Sequence, residues 1–251
     1  LARLRFFCRL AALAASLILC LIPHLLWRAA GVRSPWPRRF LGLAARAVGA
    51  RVRIEGHPFH GDSFIIANHV SWIDILALGG ATGAAFVAHD GIAGWPLIGW
   101  LAAQNNTLFV ARNRRGALSR QIEALRSALA GHQPVALFPE GTTSDGELLP
   151  FKPSLLAVLL PPPRAVMIQP VHIDYGPATA EIAWHSNEPA GANVKRLLER
   201  RGRLDLTLRF LEPFDPALHP DRKQLAAVTR DRIAASIAMH LPPFAPATAP
   251  V

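Results

Sequence analysis

The chain has 251 residues, 51% of them hydrophobic and only 18% charged, enough for one sizeable domain with a large buried core. Its net charge of +10 is uneven: residues 1–60 hold ten arginines against the single acid Glu55, while the remainder balances 17 Lys+Arg against 16 Asp+Glu. A nucleic-acid binder would carry that excess on its folded body; here it flanks an apolar run, which points instead to an anionic membrane surface.

In chain order, Leu1 stands where a methionine is expected, which suggests a trimmed or unusual start. "LAALAASLILCLIPHLL" (10–26) is 17 residues long, short for a spanning helix and interrupted by Pro23 and His24. A membrane anchor is the leading reading. A cleaved signal peptide and a buried core helix compete with it, but no small-x-small cleavage site follows the run. Arginines on both flanks blunt the positive-inside rule and suit an in-plane or re-entrant segment. The only cysteines, Cys8 and Cys20, lie in this segment without metal-ligand spacing, so a reducing compartment without disulfides is expected.

"GVRSPWPRRF" (31–40) reads as a linker and 40–50 as a short amphipathic helix. Short β-type runs follow at 52–55, 64–67, 84–88, 107–110, 135–138, 166–171, 180–184 and 206–211, several of them continuously apolar as strands covered on both faces should be. Helical spacing falls at 72–78, 96–103, 117–130, 153–160, 192–201 and 222–239. The expectation is an α/β domain, with a mixed, mostly parallel sheet flanked by helices, behind an N-terminal membrane-associated helical segment. The expected division is 1–50 membrane-associated, 51–240 the α/β domain, and 241–251 a flexible Pro/Ala tail.

Strand ends in open α/β sheets are where ligands sit, and polar residues recur there. His69 and Asp74 follow "FIIAN", Arg112 follows "TLFVA" with Arg114 and Arg115 behind it, Glu140 follows "VALFP", and Pro170 lies in "VMIQPVHI". Histidine accepts a proton near neutral pH, and a carboxylate can orient it and stabilise the imidazolium. Five residues on one helix would set the pair about 140° apart, so His69 must lie on the loop before the helix. Ser71 and Asp74 also read as a capping box, which is the structural alternative for Asp74. The arginines suit a phosphate or plain solvated surface. "FPEGTTSDG" makes a tight turn around Glu140 and Gly141 whose N–H groups suit an anion or oxyanion, or nothing more than a turn. There is no G-x-S-x-G elbow, H-E-x-x-H, P-loop or G-x-G-x-x-G, and His57 and His60 read as loop rather than metal ligands.

These stretches, in this order, resemble the PlsC-like glycerolipid acyltransferases. "NHVSWID" looks like that family's N-H-x4-D block, "LFVAR" its arginine block, "FPEGTTS" its F-P-E-G-T-x-S block and "IQPVHI" its proline block. The resemblance implies acyl transfer from an acyl thioester, acyl-CoA or acyl carrier protein, to a lysophospholipid hydroxyl, with no bound cofactor and no metal. It makes His69 the general base, Asp74 its orienter, and Arg112, Glu140, Gly141 and Thr142 acceptor-binding residues. It also implies membrane lipids as partners, no nucleic acid, and the cytoplasmic face of a bacterial inner membrane. The leading acceptor is 1-acylglycerol-3-phosphate. Against it, His89 stands where many members carry lysine, "KPS" (152–154) lacks a common glycine, and "WHSNEP" replaces W-x-G-D. "GWPLIGWL" looks similar to the branch that acylates lyso-ornithine lipid, a zwitterionic aminolipid, which is the runner-up. A lipid-binding protein without turnover is the third reading, disfavoured because a binder needs no base with an orienter.

Overall fold

The computed structural model describes residues 1–111, 118–185 and 187–240. Its centre is a seven-stranded sheet of β1 (Ala50–Glu55), β2 (Ser63–Ala67), β3 (Ala85–His89), β4 (Leu108–Val110), β5 (Val135–Leu137), β6 (Met167–Asp174) and β7 (Leu204–Phe210), in the order β1-β7-β6-β2-β5-β3-β4. All neighbours are parallel except β6 and β7. The apolar run "SFIIA" forms the central β2 and is buried at every position, as a strand covered on both faces must be. β7, "LDLTLRF", alternates buried and more exposed residues instead.

Helices cover both faces. One core layer joins Ile65, Ala67, Val171 and Ile173 of the sheet to α2 (Trp36–Ala47), α3 (Ile73–Thr82) and α7 (Ala190–Glu199). The other joins Phe64, Ile66 and Ile168 to α5 (Leu118–Ala130), a 3-10 turn (Ser154–Leu159) and α8 (Arg222–His240). α4 (Pro96–Gln104) and the single turn α6 (Thr179–Ile182) complete the set.

Four expectations are corrected. The run at 180–184 is no strand: Thr179–Ile182 coils into α6, and Arg196 holds its end by donating to the carbonyls of Glu181 and Ala183. Residues 153–160 form a 3-10 turn rather than an α-helix, confined between Pro153 and Pro161. The linker shrinks, because Trp36 and Pro37 already open α2, where proline's missing N–H is tolerated. The apolar run extends into one 28-residue helix, α1 (Ala2–Ala29), which continues through Pro23. The tail lies outside the described residues.

α1 is long and apolar enough to cross a membrane by length and composition, yet both its ends are tied to the folded body. Near its start Arg5 Nε donates to the carbonyl of Glu199 (3.0 Å), and Arg9 donates to those of Leu197 (2.9 Å) and Gly202 (2.9 Å). These groups bind carbonyls at and just beyond the end of α7, where helical carbonyls run out of backbone partners. At the far end Arg28 Nη1 donates to Gln104 Oε1 (2.9 Å), and His24 bridges Ser34 and Gln104.

α2 and α3 touch backbone to backbone at Gly42 and Gly80. A Cβ on Gly80 would stand 2.6 Å from Gly42 Cα, and neither backbone can yield as a flexible side chain would. Gly80→Ala should therefore part the two helices and destabilise the fold by about 1–3 kcal/mol. Thermal unfolding in neutral detergent reads this directly; an unchanged midpoint would mean the helices separate freely.

Candidate active site

β2, β5, β3 and β4 run parallel, so the loops after them gather at one sheet edge. Asn68 anchors the first loop: its side chain donates to the Ile173 carbonyl (2.9 Å) and accepts from the Ile173 N–H (2.7 Å). The chain then turns through His69 into α3.

His69 Nδ1 lies 2.8 Å from Asp74 Oδ2. The same oxygen accepts the backbone N–H groups of Val70 (2.7 Å) and Ser71 (2.9 Å), and Tyr175 O–H donates to the other oxygen, Oδ1. Asp74 is fully buried, while His69 keeps 16% of its side chain exposed. Burial, then the adjacent Asp74, pushes the Tyr175 phenol well above its ordinary range, so it remains a donor. A carboxylate beside Nδ1 fixes the proton there and leaves the Nε2 lone pair as the acceptor. The ring stacks on Phe138, centroids 4.1 Å apart and planes 12° off parallel, so it is held in orientation as well as in tautomer.

The capping box forms only in part. Asp74 accepts the Ser71 N–H as expected, but the helix starts at Ile73 with Trp72 at the cap, and Ser71 Oγ reaches the Ile73 N–H at 3.5 Å. Two roles compete for one carboxylate here, and its Oδ2 serves both the loop amides and the imidazole.

Glu140 sits beneath the dyad, 2% exposed. Its Oε1 accepts the His69 N–H (2.8 Å) and its Oε2 the Leu149 N–H (3.0 Å). Both oxygens therefore face backbone and clamp the histidine loop to the turn after β5. Burial pushes this carboxyl up to about 7, against the pull of the two amides and of His69. Gly141, at φ +70°, makes the turn. Its N–H donates to the Phe138 carbonyl (3.1 Å), Thr142 is exposed on the same turn, and the Ser144 N–H returns to the His69 carbonyl (2.9 Å). Pro170 is buried in β6 opposite Ile66.

Arg112, Arg114 and Arg115 lie outside the described residues. His89 ends β3 with Nδ1 accepting the Gly91 N–H (2.9 Å) and Nε2 facing Asp90 Oδ1 (3.2 Å), so both ring nitrogens are engaged by its own turn. Among the described residues no three His, Cys, Asp or Glu side chains are grouped as metal ligands would be, and His57 and His60 lie on an exposed loop.

Two contributors escaped the sequence reading. Tyr175, the chain's sole tyrosine, lies 101 positions from Asp74, and its rarity just past the proline block was the one available signal. Trp72 is held by a relay in which its Nε1 donates to Asn193 (2.9 Å) and Asn193 to Glu188 (2.6 Å). Arg196 pairs with Glu188 at 2.8 Å and holds that carboxyl down to about 2, locking α7 over the start of α3.

Comparison with known proteins agrees with this geometry. Residues 51–174 match the acyltransferase family model. The lyso-ornithine lipid O-acyltransferase of Brucella abortus is 33% identical over 81% of this chain and 84% of its own, and that of Rhodobacter capsulatus 32% identical over 78% and 75%. The 1-acyl-sn-glycerol-3-phosphate acyltransferase of Neisseria gonorrhoeae is 36% identical over 45% of each chain. The crystal structure of the acyltransferase PlsC from Thermotoga maritima superposes with a TM-score of 0.67 at 22% identity, covering 95% of this chain and 97% of that one, which establishes the fold. With its sheet, its four blocks in order and relatives matched over most of their length, the chain belongs to the PlsC-like acyltransferase family.

Proposed function

We propose that the protein transfers a fatty acyl group from an acyl thioester to the free hydroxyl of a lyso-lipid, with His69 as general base. The observation that carries this is the buried Asp74 on Nδ1, which leaves Nε2 as the oriented proton acceptor of a side chain that is itself still partly exposed. The acceptor hydroxyl hydrogen-bonds Nε2, gives up its proton as its oxygen attacks the thioester carbonyl, and leaves an imidazolium faced by Asp74. The tetrahedral intermediate then expels the thiol, which recovers the proton. The thioester is already activated, so no enzyme nucleophile is needed. Coenzyme A or acyl carrier protein supplies the donor. Arg112 and the turn through Gly141 and Thr142 receive the acceptor's polar head.

Lyso-ornithine lipid is the favoured acceptor and 1-acylglycerol-3-phosphate the second. The lyso-ornithine lipid O-acyltransferases match over most of their length, the phosphatidate-forming relative over less than half. The engagement of His89 by Gly91 and Asp90 points the same way, since both of its ring nitrogens already have partners where a phosphomonoester would want a lysine.

The enzyme works against the bilayer. Both ends of α1 hydrogen-bond to one body, and a helix so held lies alongside that body rather than crossing away from it. Phe7, Ile18, Leu19, Ile22 and Leu26 of α1 are exposed, as are Trp95, Leu97 and Ile98 at the start of α4. An in-plane helix with its apolar side in the leaflet accounts for them.

The test is acyl transfer by the purified protein in neutral detergent, with labelled acyl-CoA or acyl carrier protein offered with each acceptor. Product from lyso-ornithine lipid, absent in His69→Ala, is the expected result. Product from lysophosphatidate alone would keep the chemistry and move the acceptor. A folded protein without product from either would leave the reading of a lipid-binding protein ahead.

A further inference from the structure

A cavity of about 450 Å³ opens where α1 turns into α2. His24, Arg28, Arg33 and Arg38 line it together with amide side chains such as Gln104 and Gln133, and none of the described residues lining it is a carboxylate. It adjoins Thr82 and Gly83 at the end of α3, whereas His69 and Asp74 stand at that helix's start. The ten-residue helix sets the two sites about 15 Å apart.

The donors around this cavity are only partly used. Arg38 gives Nε and Nη2 to the carbonyls of Gly80 (3.2 Å) and Ala81 (2.6 Å), and Arg28 gives Nη1 to Gln104 (2.9 Å). Arg33 makes no hydrogen bond or ion pair among the described residues. Gln104 Oε1 already accepts from Arg28 and faces His24 Nε2 at 3.2 Å, so the cavity presents mainly N–H groups. Three guanidinium groups around one polar cavity repel one another unless an anion sits among them, and guanidinium forks fit phosphate oxygens.

The surroundings indicate where that anion comes from. Trp27 and Trp36, next in the chain to the lining residues Arg28, Pro35 and Pro37, stand edge to face with centroids 6.3 Å apart, and Arg39 lies 4.5 Å over the Trp36 ring. Val32, which lines the cavity, and Trp27 are exposed. Tryptophan with arginine at the end of an apolar helix is the composition of the headgroup layer. We propose that this cavity binds the phosphate of an anionic phospholipid, at a site separate from the one where acyl transfer occurs. The inference rests on the lipid-facing reading of α1, but not on the identity of the acyl acceptor.

The experiment uses the full chain in neutral detergent and follows its thermal midpoint against short-chain phosphatidylglycerol, phosphatidylcholine of the same chain length, and inorganic phosphate. A ligand that binds only the folded state raises the midpoint, with the logarithm of its concentration once that exceeds Kd. Phosphatidylglycerol should do so, phosphatidylcholine and phosphate far less. Arg28→Gln/Arg33→Gln should weaken the apparent Kd for phosphatidylglycerol at least ~10-fold. The charge-matched pair Arg51→Gln/Arg53→Gln, on the exposed side of edge strand β1, should not. Arg33→Gln alone removes a side chain that has no partner among the described residues and guards against misfolding of the double variant. An equal shift with inorganic phosphate would overturn the lipid as source. No shift beyond that given by phosphatidylcholine, or equal loss in both pairs, would overturn the site. Acyl transfer assayed on the same preparations should stay within about twofold of wild type, since loss of one bound lipid 15 Å away does not alter the dyad; a protein inactive but still lipid-stabilised would count against the catalytic reading alone.

Discussion

Asparagine at position 74 should lower acyl transfer by roughly 10²–10⁴-fold while leaving the protein folded. Two backbone amides, of Val70 and Ser71, already point at Oδ2, so they would select the rotamer that puts the asparagine carbonyl there. His69 Nδ1–H would then still find an acceptor, and the tautomer would survive. Tyr175 can turn its hydroxyl from donor to acceptor for the new amide group. What is lost is the negative charge facing the imidazolium in a fully buried setting, where it acts with little screening. The deficit should therefore appear in kcat rather than in KM or in the melting temperature. His69→Ala should match or exceed it, because it removes the base itself. Tyr175→Phe should cost less than either, about tenfold or below, since it deletes one hydrogen bond to Oδ1 and leaves the charge. Single-turnover transfer to lyso-ornithine lipid separates these cases. An Asp74→Asn enzyme within tenfold of wild type would sink the assignment of the dyad as base and orienter.

Much of the scaffold of this site was legible from local pattern. Continuous apolar runs gave β2 and β5, the run around Pro170 gave β6, and polar residues just after such runs located His69 and Glu140 at one sheet edge. The expectations that failed rest on features a local window does not hold. "AEIAW" reads equally as strand or helix over so few residues, and it is Arg196, fourteen or more positions on, that fixes Thr179–Ile182 as a helical turn. The N-terminal arginines were read as one diffuse membrane charge. Arg5 and Arg9 instead hold the end of α7, Arg38 the end of α3, and only the packing of α1, α2 and α3 shows which guanidinium groups face a cavity. Tyr175 reaches Asp74 through the register of β6 on β2, a long-range pairing that no periodicity encodes.

Glu140 presents the same lesson in its chemistry, because its sequence position suggests an acceptor ligand while its atoms face the backbone. Glu140→Gln should lower turnover by roughly 10–10²-fold through displacement of the His69 loop, without any loss of a group that touches substrate. A glutamine can accept one of the two amides, His69 or Leu149, but its NH₂ must meet the other, leaving a buried donor unpaired at about 1–3 kcal/mol. The pH dependence distinguishes this from a general weakening. Burial raises the folded carboxyl from 4.5 to about 7, so between those values the folded protein holds a proton that the unfolded chain has released. The stability this contributes is complete below the unfolded value and is lost as pH rises through about 7, on the order of 3 kcal/mol across the interval. Glutamine does not titrate, so the variant should gain on wild type as pH rises from 5 to 8. Turnover runs the other way: below about 7 the wild-type carboxyl carries a proton that confronts one amide donor, and the clamp on His69 weakens as it does in the variant. Urea unfolding from pH 5 to 8, wild type beside Glu140→Gln, tests the stability half. Parallel curves would mean that Glu140 stays ionised throughout and that its two amide bonds, not its burial, set its charge.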